Sequence, residues 1–328
     1  MAVSDFIFGK HKDELQVLDL RHFGASQVCE LLNDETRRWQ QRLVWDYSKS
    51  MDLLLEYVDG HILPGYAAVR DGVVRGYTFG VLEGAKAVIG DAYAFGEAVE
   101  TANPTCDLLL RHLIEMLQAT PGVDRIESQL LLFPAGSLRA PFQEAGFVAM
   151  PRLFMMGGVE AALADEVALR LPEGLHLDRW RPEMYEPAAE LIQRCYMGHM
   201  DANINDQYRS VAGSLRFLHN IVRFPGCGIF SAENSWVLRD DAGKPQALSL
   251  SSRVHPEVGH VTQLCVSPKW RGKGLGRMLL QQTARTLRED GGKALSLTVT
   301  EANQSARAVY DGLGYKVVHR FEAMVWDR

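Results

Sequence analysis

Between Val266 and Arg277 the chain reads Val-Ser-Pro-Lys-Trp-Arg-Gly-Lys-Gly-Leu-Gly-Arg. Gly272, Gly274 and Gly276 alternate with other residues, and Lys269, Arg271, Lys273 and Arg277 put four cations within nine residues. A strand-like stretch precedes the segment and leucines at helical spacing follow it, so the glycines fall where a strand hands over to a helix. The first turn of a helix leaves backbone N–H groups without intrahelical acceptors, and these carry partial positive charge. Glycine lets an anion approach that backbone without meeting a side chain. The chemistry expected is a grip on a polyanion, held by amides and cations together. Spacing excludes two other phosphate loops. Counted from Gly272, the third glycine position of a dinucleotide-binding GxGxxG holds Arg277, and no Gly-Lys-Ser/Thr follows as a GxxxxGK[ST] loop requires.

A regular succession of elements must position that segment. Residues 175–181 read as a short strand and 182–196 as a helix; a polar stretch over 198–206 leads into a second helical pattern ending near Val222. Three strand-like runs follow, 229–239, 246–254 and 260–266, separated by turn signals. Leucine spacing predicts a helix over 275–288 and alternation a strand over 294–300. A helix over 303–313 stops at Gly314, a natural C′ residue, and 321–326 closes as a strand. This order predicts a mixed α/β fold of α+β layers, a mostly antiparallel central sheet flanked by helices.

The chain also repeats itself weakly. Ser137–Phe147 reads SLRAPFQEAGF and Ser305–Tyr315 reads SARAVYDGLGY, an offset of 168 residues. Extended upstream without a gap, the offset lays Leu108–Leu117 over Gly276–Arg285 and Asn103–Leu108 over Arg271–Gly276. Two copies of one fold are expected, residues 1–160 and 174–328. They join between Gly157 and Leu175, where Gly157-Gly158, an Ala/Glu-rich piece and Leu-Pro-Glu-Gly give boundary signals.

The totals suit two domains: 328 residues, of which 47% are hydrophobic and 23% charged, enough to bury two cores. A net charge of −6 argues against general affinity for nucleic acid. Five cysteines, odd in number, scattered and without a CxxC pair, give neither a disulfide framework nor a zinc site, so no metal is expected. Met1–Asp13 lacks an apolar signal core, and no run of about 18 uncharged apolar residues spans a membrane. A reducing cytoplasm and no membrane partner are the expectation.

Leu264-Cys-Val-Ser-Pro-x-x-Arg-Gly-Lys-Gly-Leu-Gly-Arg-x-Leu-Leu resembles the acetyl-CoA motif of the GNAT acetyltransferase superfamily, with its R/Q-x-x-G-x-G pyrophosphate loop. Thr300-x-x-Asn303-x-x-Ala306-x-x-x-Tyr310-x-x-x-Gly314-Tyr315 resembles its second cofactor segment. The N-terminal half is similar more weakly, so the chain resembles the tandem, two-domain form of the superfamily. The resemblance implies acetyl-CoA as cosubstrate, no metal, and direct transfer of an acetyl group to a primary amine of a small molecule or peptide. It implies that the backbone at Leu264, Cys265 and Val266 pairs with the pantetheine arm, one N–H there also holding the thioester oxygen. Arg271, Gly272, Lys273, Gly274, Leu275, Gly276 and Arg277 would bind the pyrophosphate, Asn303 the cofactor arm, and Tyr310 would protonate the departing thiolate. A monomer or homodimer is compatible with this.

Several of these residues also have plain structural readings. Tyr310 shares helical spacing with Ala306, Val309 and Leu313 and would serve as a core aromatic; Asn303 would cap its helix; Cys265 reads as a buried, inert strand cysteine. A base must take a proton from the amine. His260 is the candidate, eleven residues before Arg271, where histone-acetylating members carry a Glu; it would otherwise cap a strand end. Glu257, His255 and Glu233 are lesser options. The stretch Tyr196–Asp206 faces the acceptor in this family, which makes Tyr196, Asp201 and Asn203 candidates for substrate binding. Trp180 and Trp236 read as core, and Trp39 and Trp45, near Arg37, Arg38 and Arg42, as part of an amphipathic core helix or, alternatively, of a contact surface.

The first half has lost this chemistry. Where the second half has its glycine loop the offset places Asn103-Pro-Thr-Cys-Asp-Leu108, with no glycine, no cation and an added Asp107; Phe142 stands at the place of Tyr310. The first half is expected to be catalytically silent. Against an acetyltransferase stands a non-catalytic acyl-CoA sensor or partner-binding module, which has no need of a thiolate acid.

Overall fold

Gln16–Asp19 (β1), Gly65–Arg70 (β2), Val73–Glu83 (β3) and Lys86–Ala94 (β4) pair antiparallel in that order. Arg125–Ser128 (β5) joins β4 in parallel. The computed structural model describes residues 14–96, 101, 103–164 and 171–328. Met1–Asp13 and residues 165–170 of the Ala/Glu-rich junction, both read above from sequence, therefore lie outside the described residues. The chain divides into two units, one of Met1–Arg42, Met51–Met150 and Phe321–Arg328, the other of Leu43–Ser50 and Pro151–Arg320.

In the first unit Ala25–Leu43 (α1), Ser48–Asp59 (α2), Pro104–Ala119 (α3) and Arg139–Glu144 (α4) accompany the sheet. Burial is concentrated on one stripe of α3, at Leu109, Leu110, Leu113, Ile114 and Leu117, the spacing of an amphipathic helix against a core. The sheet is completed beside β5 by the end of the chain, with Met324 opposite Ser128 and Asp327 opposite Arg125. Arg125 Nη1 and the Asp327 carboxylate lie 2.6 Å apart, and buried Glu322 accepts from Gly136 N–H and pairs with Arg139.

The second unit opens with Val148–Gly158 (β6) and Val159–Ala164 (α5), then Leu175–Arg179 (β7), Tyr185–Tyr196 (α6), Asp201–Ile204 (α7) and Val211–Arg223 (α8). Ile229–Phe230 (β8), Trp236–Asp240 (β9), Pro245–His255 (β10) and Val258–Val266 (β11) follow, then Leu275–Glu289 (α9), Ala294–Thr300 (β12), Gln304–Asp311 (α10) and Lys316–Asp327 (β13). Its sheet runs β6-β12-β11-β10-β9-β7, with β8 on β10; every pair is antiparallel except β11 with β12. Alternation along the strands feeds two cores. Leu248 and Leu250 of β10 pack with Leu191 and Ile192 of α6 and Leu218 of α8, while Leu295 and Leu297 of β12 pack with Leu280, Ala284 and Leu287 of α9. Trp180 and Trp236 are buried, as expected.

The mixed α/β layers and mostly antiparallel sheets agree with the sequence reading, and four details differ. The polar stretch is not all loop: α7 occupies part of it, and a 3-10 turn at Asp206–Arg209 follows, capped by Asn205 Oδ1, which accepts from Gln207 N–H. The run 229–239 is broken between β8 and β9 by a turn in which the Ser231 hydroxyl bonds Asn234. The last strand begins five residues early, at Lys316. Finally, β6 from Pro151 onward belongs to the second unit and Phe321–Arg328 to the first, so the units are not the two halves of the chain.

The repeat is visible in hydrogen bonds. Phe147 N–H donates to Phe142 O at 2.9 Å and Tyr315 N–H to Tyr310 O at 3.0 Å, around Gly146 and Gly314 with φ of 82° and 81°. Each unit also carries a β-bulge at the same step, between Phe79 and Gly80 in β3 and between Leu250 and Ser251 in β10. The gapless offset slips upstream, however: α3 is capped by Asn103 and α9 by Gly274, so Asn103 answers to Gly274 and not to Arg271. Among the described residues no helix is long and apolar enough to cross a membrane.

Candidate functional site

Helix α9 starts without a side-chain cap. Its cap residue is Gly274 in the left-handed region, φ 76°, and no side chain bonds the first-turn amides. Gly272, φ 74°, has open space around the Cβ it lacks, and a Cβ on Gly276 would meet only Val266 Cγ2 at 3.8 Å. The N-terminal amides are therefore exposed to an anion. The basic residues divide their work. Lys273 Nζ sits 4.4 Å and Lys269 Nζ 5.4 Å from the centre of the Trp270 ring, which fixes two cations beside the loop. Arg277 reaches toward Gly312 at the end of α10. Arg271 is committed elsewhere: Nε donates to Val266 O at 3.1 Å and Nη2 to Cys195 O at 2.7 Å. Its side chain joins the end of β11 to α6, so its contribution to an anion site is through the loop it braces.

Strand β11 leads into this loop along an open edge. Its parallel register with β12 runs from Val258 opposite Ala294 to Val261 opposite Leu297 and stops, while pairing with β10 continues to Val266. From Thr262 onward one side of β11 has no strand partner. The carbonyls of Leu264 and Val266 face that side, because Tyr196 O–H reaches Leu264 O at 3.5 Å and Arg271 reaches Val266 O. An extended arm carrying amides fits such an edge as an added strand would. Cys265 points the other way, into the core with α6. Its hydrogen bond with Cys195 and its burial push its thiol well above the usual range, so it is no nucleophile.

Tyr310 on α10 is buried and its hydroxyl makes no hydrogen bond among the described residues. Burial first, then the charge of Asp201, raise its pKa, so the phenol stays protonated across the physiological range. Asn303 caps α10, accepting from Ala306 N–H at 3.2 Å and Ser305 O–H at 3.0 Å. Tyr196 stacks on Tyr208 with centroids 4.2 Å apart. Gln263, buried just after the bulge, donates from Nε2 to the Tyr196 phenol oxygen Oη at 3.1 Å and accepts from Tyr208 O–H at 3.1 Å. Asp201 accepts from Thr300 O–H at the end of β12. Asn203 is exposed on α7.

The structure therefore brings Tyr196, Asp201, Leu264, Thr300 and Tyr310 to one end of the opened strand pair and leaves His260 at the other. Leu264 lies four positions beyond His260, about 13 Å along the strand. Its ring stacks on Phe154 at 5.9 Å and 9° and lies 4.9 Å from Trp45, while Nδ1 bonds Ser296 Oγ at 2.9 Å. Burial, helped by the charge of Arg152, lowers its pKa to about 3. This setting opposes the base expected at His260: the imidazole stays neutral in an aromatic slot and accepts protons poorly. Glu257 is tied to Lys293 in the β10–β11 turn, farther away still.

The low value has a sign. Because the folded pKa lies below the unfolded value of about 6.5, stability is full above that value and falls as pH drops toward 3. His260→Phe is expected to shrink this acid loss, read from urea midpoints between pH 7 and 4. It should change kcat/KM by less than about threefold, where loss of a base costs at least about a hundredfold.

The first unit has a different interior at the matching place. Asn103 Oδ1 accepts from Cys106 N–H at 2.9 Å, Pro104 removes an amide from the first turn and Asp107 adds a negative charge there. Asp91, the residue after the bulge as Gln263 is, lies with buried Glu35: Tyr77 O–H is 2.7 Å from Glu35 Oε2 and 3.3 Å from Asp91 Oδ2, and Trp39 donates to Glu35. Burial and the charge of Asp91 push the Glu35 carboxyl well up. Stability from this pair is full below the ordinary Glu range and is lost as pH rises through the raised pKa. Glu35→Gln is expected to flatten that alkaline decline, up to about 1.4 kcal/mol per pH unit, in urea titrations.

Gln263, Tyr208, Thr300 and Arg152 were missed as site residues by sequence reading. Gln263 alone carried a signal, a lone amide in an apolar strand. Among the described residues, no cluster of three or more His, Cys, Asp or Glu side chains is placed to hold a metal ion.

Residues 190–315 match the acetyltransferase (GNAT) family. A mycothiol acetyltransferase of Propionibacterium freudenreichii is 28% identical over 151 residues, 45% of this chain and 45% of that protein. The chain spans less than half the length of the curated relatives it matches. Among solved structures, a GCN5-related N-acetyltransferase from Sphaerobacter thermophilus superposes with a TM-score of 0.62 at 14% identity, over 95% of each chain. A tandem GNAT protein from the clavulanic acid biosynthesis pathway gives 0.58 at 15% identity, over 96% of this chain and 98% of that one. The family match over residues 190–315 coincides with the open helix start and the parted strands, and the chain as a whole has a fold like that of a tandem GNAT protein.

Proposed function

We propose that this chain is an N-acetyltransferase that moves an acetyl group from acetyl-CoA directly to a primary amine of a small molecule or peptide. The observation that carries the reading is the coincidence of three features: an uncapped glycine start to α9, an open edge on β11, and an unpartnered protonated phenol at Tyr310. The residues fit the cosubstrate. The amides from Gly272 to Gly276 would take the pyrophosphate, with Lys269, Lys273 and Arg277 beside them. Leu264 and Val266 would bond the pantetheine arm, and an N–H on that edge would hold the carbonyl oxygen as charge develops. Tyr310 would give its proton to the sulfur as the C–S bond breaks. Five free cysteines suit a reducing cytoplasm.

The first unit supports a structural role only. Its helix start is already satisfied by Asn103 and its matching interior is filled by Glu35, Tyr77 and Asp91. The test is thiol release from acetyl-CoA by the full chain with a panel of primary amines, matched to acetylated product by mass spectrometry. Product in step with thiol is the expected result. Tight acetyl-CoA uptake with no turnover on any amine favours an acyl-CoA sensor instead.

A further inference from the structure

The end of the parted strands has two walls. On the β11 side stand Tyr196 and Gln263, linked to the Leu264 carbonyl and to Tyr208. On the other side Thr300, the last residue of β12, donates its hydroxyl proton to Asp201 Oδ1. The Asp201 side chain is 15% exposed, so it is held but reachable, and His199 Nδ1 lies 3.7 Å from Oδ2. The charged and titratable groups around it come from each packed element: Tyr196 on α6, His199 after it, Tyr208 in the 3-10 turn, Arg152 on β6 and Tyr310 on α10. Burial first, and with it the negative charge of Asp201, raises the pKa of all three phenols, which places them within its field.

We infer that Asp201 is the general base, binding the acceptor's ammonium and removing a proton from it beside the acetyl carbon. This rests on the acetyl transfer proposed above. A protonated amine has no lone pair to attack with, and a carboxylate suits a cation by charge. The step balances. The ammonium gives one proton to Asp201, and the freed nitrogen lone pair forms the new C–N bond. The C–S bond breaks and its electron pair goes to sulfur, which takes the Tyr310 proton. The second proton lost by nitrogen restores Tyr310, and the proton on Asp201 leaves to solvent past His199. Thr300 is a positioning residue that points one carboxylate oxygen.

The experiment uses the full chain, saturating acetyl-CoA and two amines, ethanolamine, which is protonated at pH 7, and trifluoroethylamine, which is mostly not. Acetyl-CoA binding is followed in parallel by calorimetry. Asp201→Asn is expected to keep acetyl-CoA affinity within about threefold, to lower kcat/KM for ethanolamine about ten- to a hundredfold, and to spare trifluoroethylamine. Thr300→Val should show the same split between amines at smaller amplitude, with Thr300→Ser restoring the rate, and it carries the test if Asp201→Asn does not fold. Equal losses for both amines, or none for ethanolamine, overturn the assignment. Wild-type protein that binds acetyl-CoA and releases no thiol with these two amines or any other primary amine of the panel overturns the transfer reading, and this base with it.

Discussion

Tyr310→Phe should lower kcat by about two to four orders of magnitude while leaving acetyl-CoA affinity within about threefold. The ring packs with Leu280, Leu313 and Tyr315 in the core, and Phe keeps that packing. The hydroxyl makes no hydrogen bond among the described residues, so removing it leaves no partner unsatisfied and stability should change little. What is lost is the proton for the sulfur. Because the phenol is held protonated beyond its ordinary range, the wild-type rate should show no alkaline decline from this group below about pH 10. A decline there in wild type, or a kcat for Tyr310→Phe within about threefold of wild type, removes Tyr310 from the chemistry.

Gly276→Leu should weaken acetyl-CoA binding on the order of a hundredfold, about 2.8 kcal/mol, with no loss of stability. A Cβ at this position meets only Val266 at 3.8 Å, ordinary contact, so the fold admits a side chain. Leucine is also a better helix former than glycine by roughly 0.5–1 kcal/mol. The cost falls on the ligand, because the new side chain stands over the amides that a diphosphate must touch. Gly274 is a poorer test, since its φ of 76° strains any replacement and mixes folding with binding. Calorimetry with acetyl-CoA and a urea curve on the same sample separate the two effects. Unchanged binding at full stability would falsify the anion grip.

The glycine loop, the Tyr310 helix and the order of elements were legible because each depends on local spacing. A helix start with glycine at the cap and leucines behind it looks the same in any context. The base was not legible. His260 has the right residue type and a fair distance in sequence from the loop, but the aromatic slot that silences it is made by Trp45 and Phe154, from distant parts of the chain. The setting of Asp201 depends on Thr300, 99 residues away. The edges of the units were hidden for a related reason. Val148–Gly158 and Lys316–Asp327 are buried in continuous runs along much of their length, and a strand's sequence does not say which sheet it will join.

That last ambiguity bears on how the protein is made. Arg125 meets Asp327 across 202 residues of sequence, so the edge of β5 stays bare until that distant segment has been synthesised. During that wait the edge is a template for any stray strand, and closing so long a span is slow. The first unit therefore finishes late, and separating residues 1–160 from 174–328 would leave β5 and β12 each with a bare edge.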